Sequence, residues 1–289
     1  MIAQRLAIIG LGLIGGSLAR ALRTAGEVGQ ISGYDPDPAQ RDDATRLAVI
    51  DRVEDNAAAA VRDAEVVVLA VPVLHTAAAL SEVLPALKRH AVVTDVGSTK
   101  QSVLADVHRV CGRLPAWFVA AHPIAGTEKS GIANSVLDLF KKHRVIITPH
   151  EGQDPAALAL VTRLWQATGA RVVEMDAHRH DAIFAATSHL PHVLAYSFVD
   201  MLARLDEKDQ IFSNAGGGFR DFTRIASSSP QMWHDIVRAN ADSVAGLLDQ
   251  QINELCQIRD MIRAERWNDL LQLFERSRQA RERYLAQIE

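Results

Sequence analysis

The sequence predicts an α/β domain built on a parallel sheet, followed by an all-α domain. Three observations carry this. From Leu6 to about Met175 short β-branched runs alternate with amphipathic segments, as in strands that cross over through helices. Most of those runs are apolar without a break, the signature of strands buried on both faces. After Asp176 the alternation stops, and almost everything to Glu289 has helical spacing. A boundary after residue 176 divides the 289 residues into 1–176 and 177–289, in line with a prior of about two domains at ~150 residues each.

The expected strands are Arg5–Ile9, Ile31–Tyr34, Glu65–Ala70, Val92–Val96, Trp117–Ala121, Arg144–Thr148 and Arg171–Glu174. Between them Leu13–Ala25, Pro38–Leu47, Leu74–Leu87, Lys100–Val110 and Pro155–Thr168 place apolar residues at helical intervals, with Asp154 as a cap ahead of a first-turn proline. In the second half Gly216–Gly218 and Ser227–Pro230 punctuate the helices. The stripe Ile183, Phe184, Leu190, Val193, Leu194, Phe198, Met201 and Leu202 is too rich for an isolated surface helix. It is expected to pack against a second copy, making a homodimer through the helical domain. The arginine-rich Arg276–Arg283 reads as a solvated face.

Composition narrows the function. A net charge of −4 is far from the basic balance of a nucleic-acid binder. The amino terminus runs into a strand without the basic head and apolar segment of an export signal, and the apolar stretch Val66–Leu74 contains Pro72 and is too short to span a bilayer. The two cysteines, Cys111 and Cys256, lack metal-ligand spacing and read as reduced thiols. The expectation is a cytoplasmic protein with a small-molecule substrate and no membrane or nucleic-acid partner.

Gly10-Leu11-Gly12-Leu13-Ile14-Gly15 follows the first strand and opens the first helix. In that setting Gly10 permits the tight turn, Gly12 lets the backbone approach a pyrophosphate and Gly15 allows close helix–strand packing. The first domain is therefore read as Rossmann-like and dinucleotide-binding. Asp35 ends the second strand, where a carboxylate accepts from both ribose hydroxyls and repels a 2′-phosphate. No arginine immediately follows it, so NAD is expected rather than NADP; the competing reading is a helix cap.

Two strand ends carry further chemistry. Ser98, in Asp95-Val96-Gly97-Ser98-Thr99-Lys100, either faces the reacting centre or caps a helix beginning at Thr99. His122, in Ala121-His122-Pro123-Ile124-Ala125-Gly126-Thr127-Glu128, supplies a base suited to taking a hydroxyl proton during hydride transfer. His178, His180, His189 and His192 fall within fifteen positions. Imidazoles lining an anionic pocket explain them as well as a metal does, and no metal is expected. Arg220 and Arg224, beside Gly216–Gly218, offer either bidentate carboxylate recognition or an ordinary solvated helix face.

Taken in order, Gly10–Gly15, Asp95-x-x-Ser98-x-Lys100, His122-Pro-x-x-Gly126-x-Glu128, Ser188-His189-Leu-Pro191-His192 and Gly216–Ala226 resemble the prephenate and arogenate (cyclohexadienyl) dehydrogenase family of tyrosine biosynthesis over nearly the whole chain. The resemblance implies NAD-dependent oxidative decarboxylation of prephenate to 4-hydroxyphenylpyruvate, of arogenate to tyrosine, or of both. It implies that His122 accepts the proton of the ring hydroxyl and that Ser98 orients it and the substrate. Arg224 would pair with a substrate carboxylate, His180, His189 and His192 would line the pocket with Gly217 nearby, and Glu128 would sit at the entrance. Leu13, Ile14, Val71 and Pro72 would complete the cofactor contacts of Gly10, Gly12, Gly15 and Asp35. Some members carry a fused chorismate mutase or a further regulatory domain, and neither is expected here, because the chain starts directly at the glycine loop and ends with the helices.

Two other readings compete. A β-hydroxyacid dehydrogenase or imine reductase also joins a dinucleotide domain to a helical one, but would rely on a helical-domain lysine or similar proton relay, and the His122 motif with Gly216–Ala226 speaks against it. A non-catalytic NAD-sensing protein would leave Ser98, His122 and Arg224 unexplained.

Overall fold

The computed structural model describes residues 1–288. In chain order the elements are β1 (Ala3–Ile9), α1 (Leu13–Ala25), β2 (Val28–Tyr34), α2 (Pro38–Arg46), β3 (Arg52–Val53), α3 (Ala57–Val61), β4 (Val66–Leu69), α4 (Thr76–Val83), β5 (Val92–Asp95), α5 (Gln101–Cys111), β6 (Phe118–Pro123), β7 (Arg144–Thr148), α6 (Pro155–Ala167) and β8 (Arg171–Glu174). The helical part follows as α7 (Ala177–Phe184), a π turn over Ala185–His189, α8 (Leu190–Ala203), α9 (Lys208–Ser213), α10 (Gly217–Thr223), α11 (Pro230–Ala239), α12 (Ala241–Arg263) and α13 (Trp267–Ile288).

The eight strands form one sheet in the order β3-β2-β1-β4-β5-β6-β7-β8. Its first six positions are the doubly wound order of a dinucleotide-binding fold. Strand alternation explains the unbroken apolar runs. Leu6, Ile8, Val66, Val68, Val119 and Ala121 pack into the core on one face. Ala7, Ile9, Val67, Leu69, Phe118 and Ala120 pack into the core on the other. Every second side chain serves the opposite layer, so the central strands are mostly apolar, with buried Thr94 and Asp95 as exceptions.

The expected wholly parallel sheet needs correction. β7 runs antiparallel to β6, with Ala120 opposite Thr148 and Pro123 opposite Val145, and β8 is parallel to β7. The long loop from Ile124 to His143 lets the chain return without a crossover helix. Two elements were not foreseen, the two-residue β3 and the alanine-rich α3. The expected helix Leu74–Leu87 holds only as α4, flanked by 3₁₀ turns at Val73–His75 and Leu84–Ala86.

Gly216 caps α10 after the break that follows α9, and Gly217 and Gly218 form the first turn of α10. The segment Ala177–Ala203 is long and apolar enough to cross a bilayer by length and composition. It nevertheless carries His180, Asp181 and His189 in a buried hydrogen-bonded cluster, which fits a helix packed on protein.

By packing, residues Met1–Ala241 form one compact unit and a second begins at Asp242. The expected division after residue 176 lies inside the first unit, because the early helices dock on the sheet. Ile236 of α11 is buried in the same core as Val73 and Leu80. The second unit contains α13 and nearly all of α12, with Ile252, Leu255, Ile262, Leu271 and Phe274 exposed along them.

Gly10 shows how tightly the first turn is built. Its φ is +101°, and a Cβ there would stand 2.3 Å from the Ala70 carbonyl oxygen. Gly10→Ala is expected to lower the unfolding free energy by about 2–4 kcal/mol through backbone strain and collision. Gly12→Ala should change it by less than about 1 kcal/mol, since that position is only a helix N-cap facing open space. Urea unfolding of the two variants side by side checks the contrast.

Candidate active site

Both halves of the candidate site sit at the carboxyl edge of the sheet, where open α/β folds bind ligands. Gly10 donates its N–H to the Tyr34 carbonyl, fixing the turn. Gly12 is the N-cap of α1 in extended conformation and no side chain caps that helix. Nothing lies within 4 Å of where a Gly12 Cβ would stand. An uncapped helix start with open space above it is a ready anion site, and it fits the pyrophosphate of a dinucleotide. At Gly15 a Cβ would lie 2.2 Å from the Gly10 carbonyl oxygen, so glycine is required there by close packing.

Leu13 is buried in the core and Ile14 packs against it, so at the start of α1 what these two residues leave free is main-chain N–H rather than side chain. Val71 and the exposed Pro72 follow β4, and the Val71 nitrogen is 3.1 Å from the absent Gly10 Cβ.

Asp35 reaches the loop: its Oδ2 accepts from the Leu11 N–H at 2.7 Å and its Oδ1 from Asp37 N–H at 2.9 Å. It does not cap α2, a task taken by Asp37 through the Ala39 N–H. The structure also brings up an arginine that lies six residues away in sequence. Arg41 Nη1 donates to the carbonyls of Asp35 at 2.6 Å and Pro36 at 3.2 Å, with its guanidinium 5.7 Å from the Tyr34 ring centre.

Ser98 and His122 emerge at the ends of neighbouring strands, β5 and β6, and both are half-buried. Ser98 caps nothing, because α5 begins at Gln101 and its first N–H groups are met from elsewhere. Lys100 N–H donates to Asp181 Oδ1 at 2.7 Å and Gln101 N–H to Asp181 Oδ2 at 3.0 Å. His122 makes its ring hydrogen bond to His180, Nδ1 to Nε2 at 2.9 Å, rather than to Ser98. His180 Nδ1 in turn lies 2.7 Å from Asp181 Oδ1.

His180 therefore departs from the expectation that it lines the pocket. It is fully buried behind His122 with both nitrogens engaged. Phe184 closes the cluster, its ring 5.1 Å from His122 and 4.5 Å from His180.

His189 is buried, and its Nδ1 is 3.2 Å from Asn240 Nδ2, which also donates to the Asp181 carbonyl at 2.9 Å. An amide nitrogen can only donate, so Nδ1 accepts and the proton sits on Nε2. His192 donates Nδ1–H to the Ser188 carbonyl at 2.8 Å and stacks on Trp233 with ring centres 3.4 Å apart. The Trp233 Nε1–H is buried without a partner among the described residues. His178 stands apart, exposed on α7. Among the described residues no three His, Cys, Asp or Glu side chains gather as a metal site.

Under the two strand ends lies a sealed ion pair. Lys100 Nζ donates to Asp95 Oδ2 at 2.5 Å and to the Ala121 carbonyl at 2.6 Å, with both charged groups buried. Asp95 also accepts from the Gly97 and Ala121 N–H groups. At the surface, Arg224 Nη1 is 3.7 Å from Glu128 Oε2, both side chains being largely exposed. Gly217, in the first turn of α10, and Arg220 are exposed as well.

Electrostatics follow burial. Burial pushes His122 well below the ordinary histidine range, helped by His180 and Lys100 nearby. Burial likewise lowers His180 and His192, and brings His189 to about 4. Burial alone would raise Asp181, but hydrogen bonds from His180, Lys100 N–H and Gln101 N–H hold its carboxyl below the usual range.

Sequence reasoning gave no role to Lys100 and Asp95, although both lie in the quoted Ser98 segment, and none to Asp181, Asn240 or Trp233. A carboxylate directly after His180 was the one signal available. Asn240 and Trp233 reach the histidines only through folding.

A doubly wound sheet with a ligand-ready helix start, joined to helices that bring histidines to the same edge, defines a two-domain nucleotide-dependent dehydrogenase. Comparison with known proteins narrows this. Residues 18–174 match the family model described as "Prephenate dehydrogenase, nucleotide-binding domain", and residues 176–276 match "Prephenate dehydrogenase, dimerization domain". The chain is 38% identical over 281 residues to the cyclohexadienyl dehydrogenase of Zymomonas mobilis, covering 96% of this chain and 95% of that protein. It is 37% identical to the prephenate dehydrogenase of Bacillus subtilis, covering 95% of this chain and 74% of the relative. A crystal structure of prephenate dehydrogenase from A. aeolicus, in complex with hydroxyphenyl propionate and NAD+, superposes with a TM-score of 0.89 at 35% identity, covering 96% and 97% of the two chains. The chain belongs to the prephenate dehydrogenase family.

The buried neutral histidines make stability acid-sensitive. Unfolded His189 takes up a proton near pH ~6.5, whereas the folded side chain does so only at about 4. Its contribution is thus complete above about pH 6.5 and declines as pH falls toward 4, by up to about 3 kcal/mol. Chemical denaturation at stepped pH should show this loss, and His189→Asn should flatten it.

Proposed function

We propose that the protein catalyses the NAD-dependent oxidative decarboxylation of prephenate to 4-hydroxyphenylpyruvate, of arogenate to tyrosine, or of both. The observation that carries the reading is His122, held through Nδ1 with Nε2 as its remaining nitrogen, at the carboxyl edge of the same sheet whose first strand leads into the open start of α1. Bound NAD would supply the hydride acceptor for C4 of the substrate ring. Gly10, Gly12 and Gly15, with the N–H groups of Leu13 and Ile14, would hold its pyrophosphate, Asp35 its ribose, and Val71 and Pro72 the adjoining wall.

His122 Nε2 takes the proton of the C4 hydroxyl as that carbon becomes a carbonyl. The ring carboxylate then leaves as carbon dioxide, its electron pair completes the aromatic ring, and the protonated His122 returns its proton to the phenolate oxygen. Because burial keeps the free imidazole neutral, the base is ready at neutral pH. Ser98, on the neighbouring strand end, contacts the hydroxyl under this reading. Arg224 binds the side-chain carboxylate, exchanging Glu128 for it at the pocket rim, and His189, His192 and Gly217 face the remaining substrate.

We further infer a homodimer formed by the helical domain of residues 177–289, supported by the exposed apolar residues along α12 and α13. A cytoplasmic setting suits the free Cys111 and Cys256.

Purified protein given NAD and, in parallel, prephenate or arogenate should form NADH; no NADH with either substrate would overturn the reading. His122→Asn should keep nucleotide binding and lower kcat by about 10²–10⁴-fold. The acid limb of kcat/KM, expected below the ordinary histidine range, should vanish with it. Arg224→Ala should raise KM about 10–100-fold, as for loss of a hydrogen bond to a charged group, with lysine rescuing only part. If Arg220→Ala has the larger effect, the carboxylate is read by the wrong arginine in this scheme.

A further inference from the structure

We propose that His180 and Asp181 form a buried positioning relay that fixes His122 in the one tautomer able to act as a base through Nε2. The inference deepens the proposed function and rests on the role given there to His122.

The proton positions follow from counting donors and acceptors. Asp181 Oδ1 receives the Lys100 N–H and faces His180 Nδ1, each at 2.7 Å, while Oδ2 receives the Gln101 N–H at 3.0 Å. An ionised carboxylate only accepts, so His180 must carry its proton on Nδ1. A neutral imidazole holds a single proton, which leaves His180 Nε2 as a lone pair. His122 Nδ1, 2.9 Å away, must then donate. The single proton of neutral His122 is thereby used, and Nε2 is left as a lone pair. The reverse arrangement would set a lone pair of His180 against the Asp181 carboxylate in a fully buried site.

The surroundings supply no competing anchor. The titratable groups around His122 are His180 and Asp181 on α7, His189 in the π turn, and Lys100 with Asp95 beneath the strand ends. Lys100 is committed to Asp95 and the Ala121 carbonyl, and His189 to Asn240. When His122 gains a proton during turnover, its Nδ1–H keeps donating to His180, which keeps donating to the Asp181 carboxylate. The positive charge is met by an oriented chain without any proton moving along it, as in serine hydrolase triads. Asp181 is anchored by the first turn of α5, so the relay is rigid and the two parts of the chain that build the site are set relative to each other by the same carboxylate.

His180→Gln and His180→Leu separate this from a merely structural role. The glutamine carbonyl can accept from His122 Nδ1–H while its amide donates to Asp181; leucine can do neither. Long-range ¹H–¹⁵N NMR on histidine-labelled full-length protein, without substrate, reads which His122 nitrogen is protonated. Wild type and His180→Gln are expected to show Nδ1–H, and His180→Leu the Nε2–H form. kcat should fall about 10²–10⁴-fold in His180→Leu and less than about tenfold in His180→Gln, with KM within about threefold in both. Asp181→Ala, which frees His180 to choose its tautomer, should give a mixture of His122 forms and an intermediate kcat.

An Nδ1–H signal in both His180→Leu and Asp181→Ala, or equal loss of kcat in the leucine and glutamine variants, would overturn the relay. Because the NMR readout needs no turnover, wild-type protein inactive on both substrates would sink the proposed function while leaving the tautomer result to stand or fall by itself.

Discussion

One carboxylate, Asp181, joins the parts of this chain that make the site. It comes from α7, yet it satisfies the first N–H groups of α5 and holds His180 against His122. A helix start normally finds its cap a residue or two upstream. Here α5 draws its cap from 80 residues downstream, so the loop bearing Ser98 is completed only when the helical segment is in place. The Lys100–Asp95 pair works from below, Asp95 accepting the Ala121 N–H and Lys100 bonding the Ala121 carbonyl, one residue before His122. Buried ion pairs contribute little net stability, since desolvation offsets attraction. Their effect at this edge is geometric.

Some helix starts in this chain are closed by a side chain and others, α1, α4, α9 and α10 among them, are not. α2, α3, α6, α7 and α11 are closed by the side chains of Asp37, Asn56, Asp154, Asp176 and Ser229. α1, a long helix aimed at the same edge, begins at Gly12 with no side chain on its N–H groups. Leaving those donors open forgoes roughly 1 kcal/mol of capping, and it keeps a positive helix end available to a phosphate. The Asp35 carboxylate is occupied by the Leu11 and Asp37 N–H groups rather than by the first N–H groups of α1.

Much of this could be read from the sequence because it is local. α1 runs over the same residues, Leu13–Ala25, that helical periodicity delimits, and β7 and β8 fall on the expected residues. What escaped is non-local or short. β3 has two residues, too few for a period. The direction of β7 depends on how a loop returns, and no residue pattern encodes it. His122 was legible because its motif lies at a strand end, whereas the second histidine behind it, His180, comes from a helix 58 residues further along and meets it only through folding. Arg41 likewise folds back on Asp35 from α2, which made the absence of an adjacent arginine an incomplete description of that corner.

Burial gives the histidines of the site one further property, neutrality, and on the proposed reaction it favours one outcome. A carboxylate brought among neutral imidazoles and Phe184 loses hydration without gaining a full counter-charge. Lys100 cannot supply one, because it is sealed against Asp95. Arg224 can, but it stands at the exposed rim beside Glu128. A substrate with two carboxylates would therefore keep the charge that meets the rim and be destabilised at the one carried inward. Losing that inner group as carbon dioxide removes the buried charge while the ring becomes aromatic. On that reading the low polarity that keeps His122 unprotonated in the free enzyme also disfavours the inner carboxylate of the bound substrate, before proton transfer makes His122 cationic.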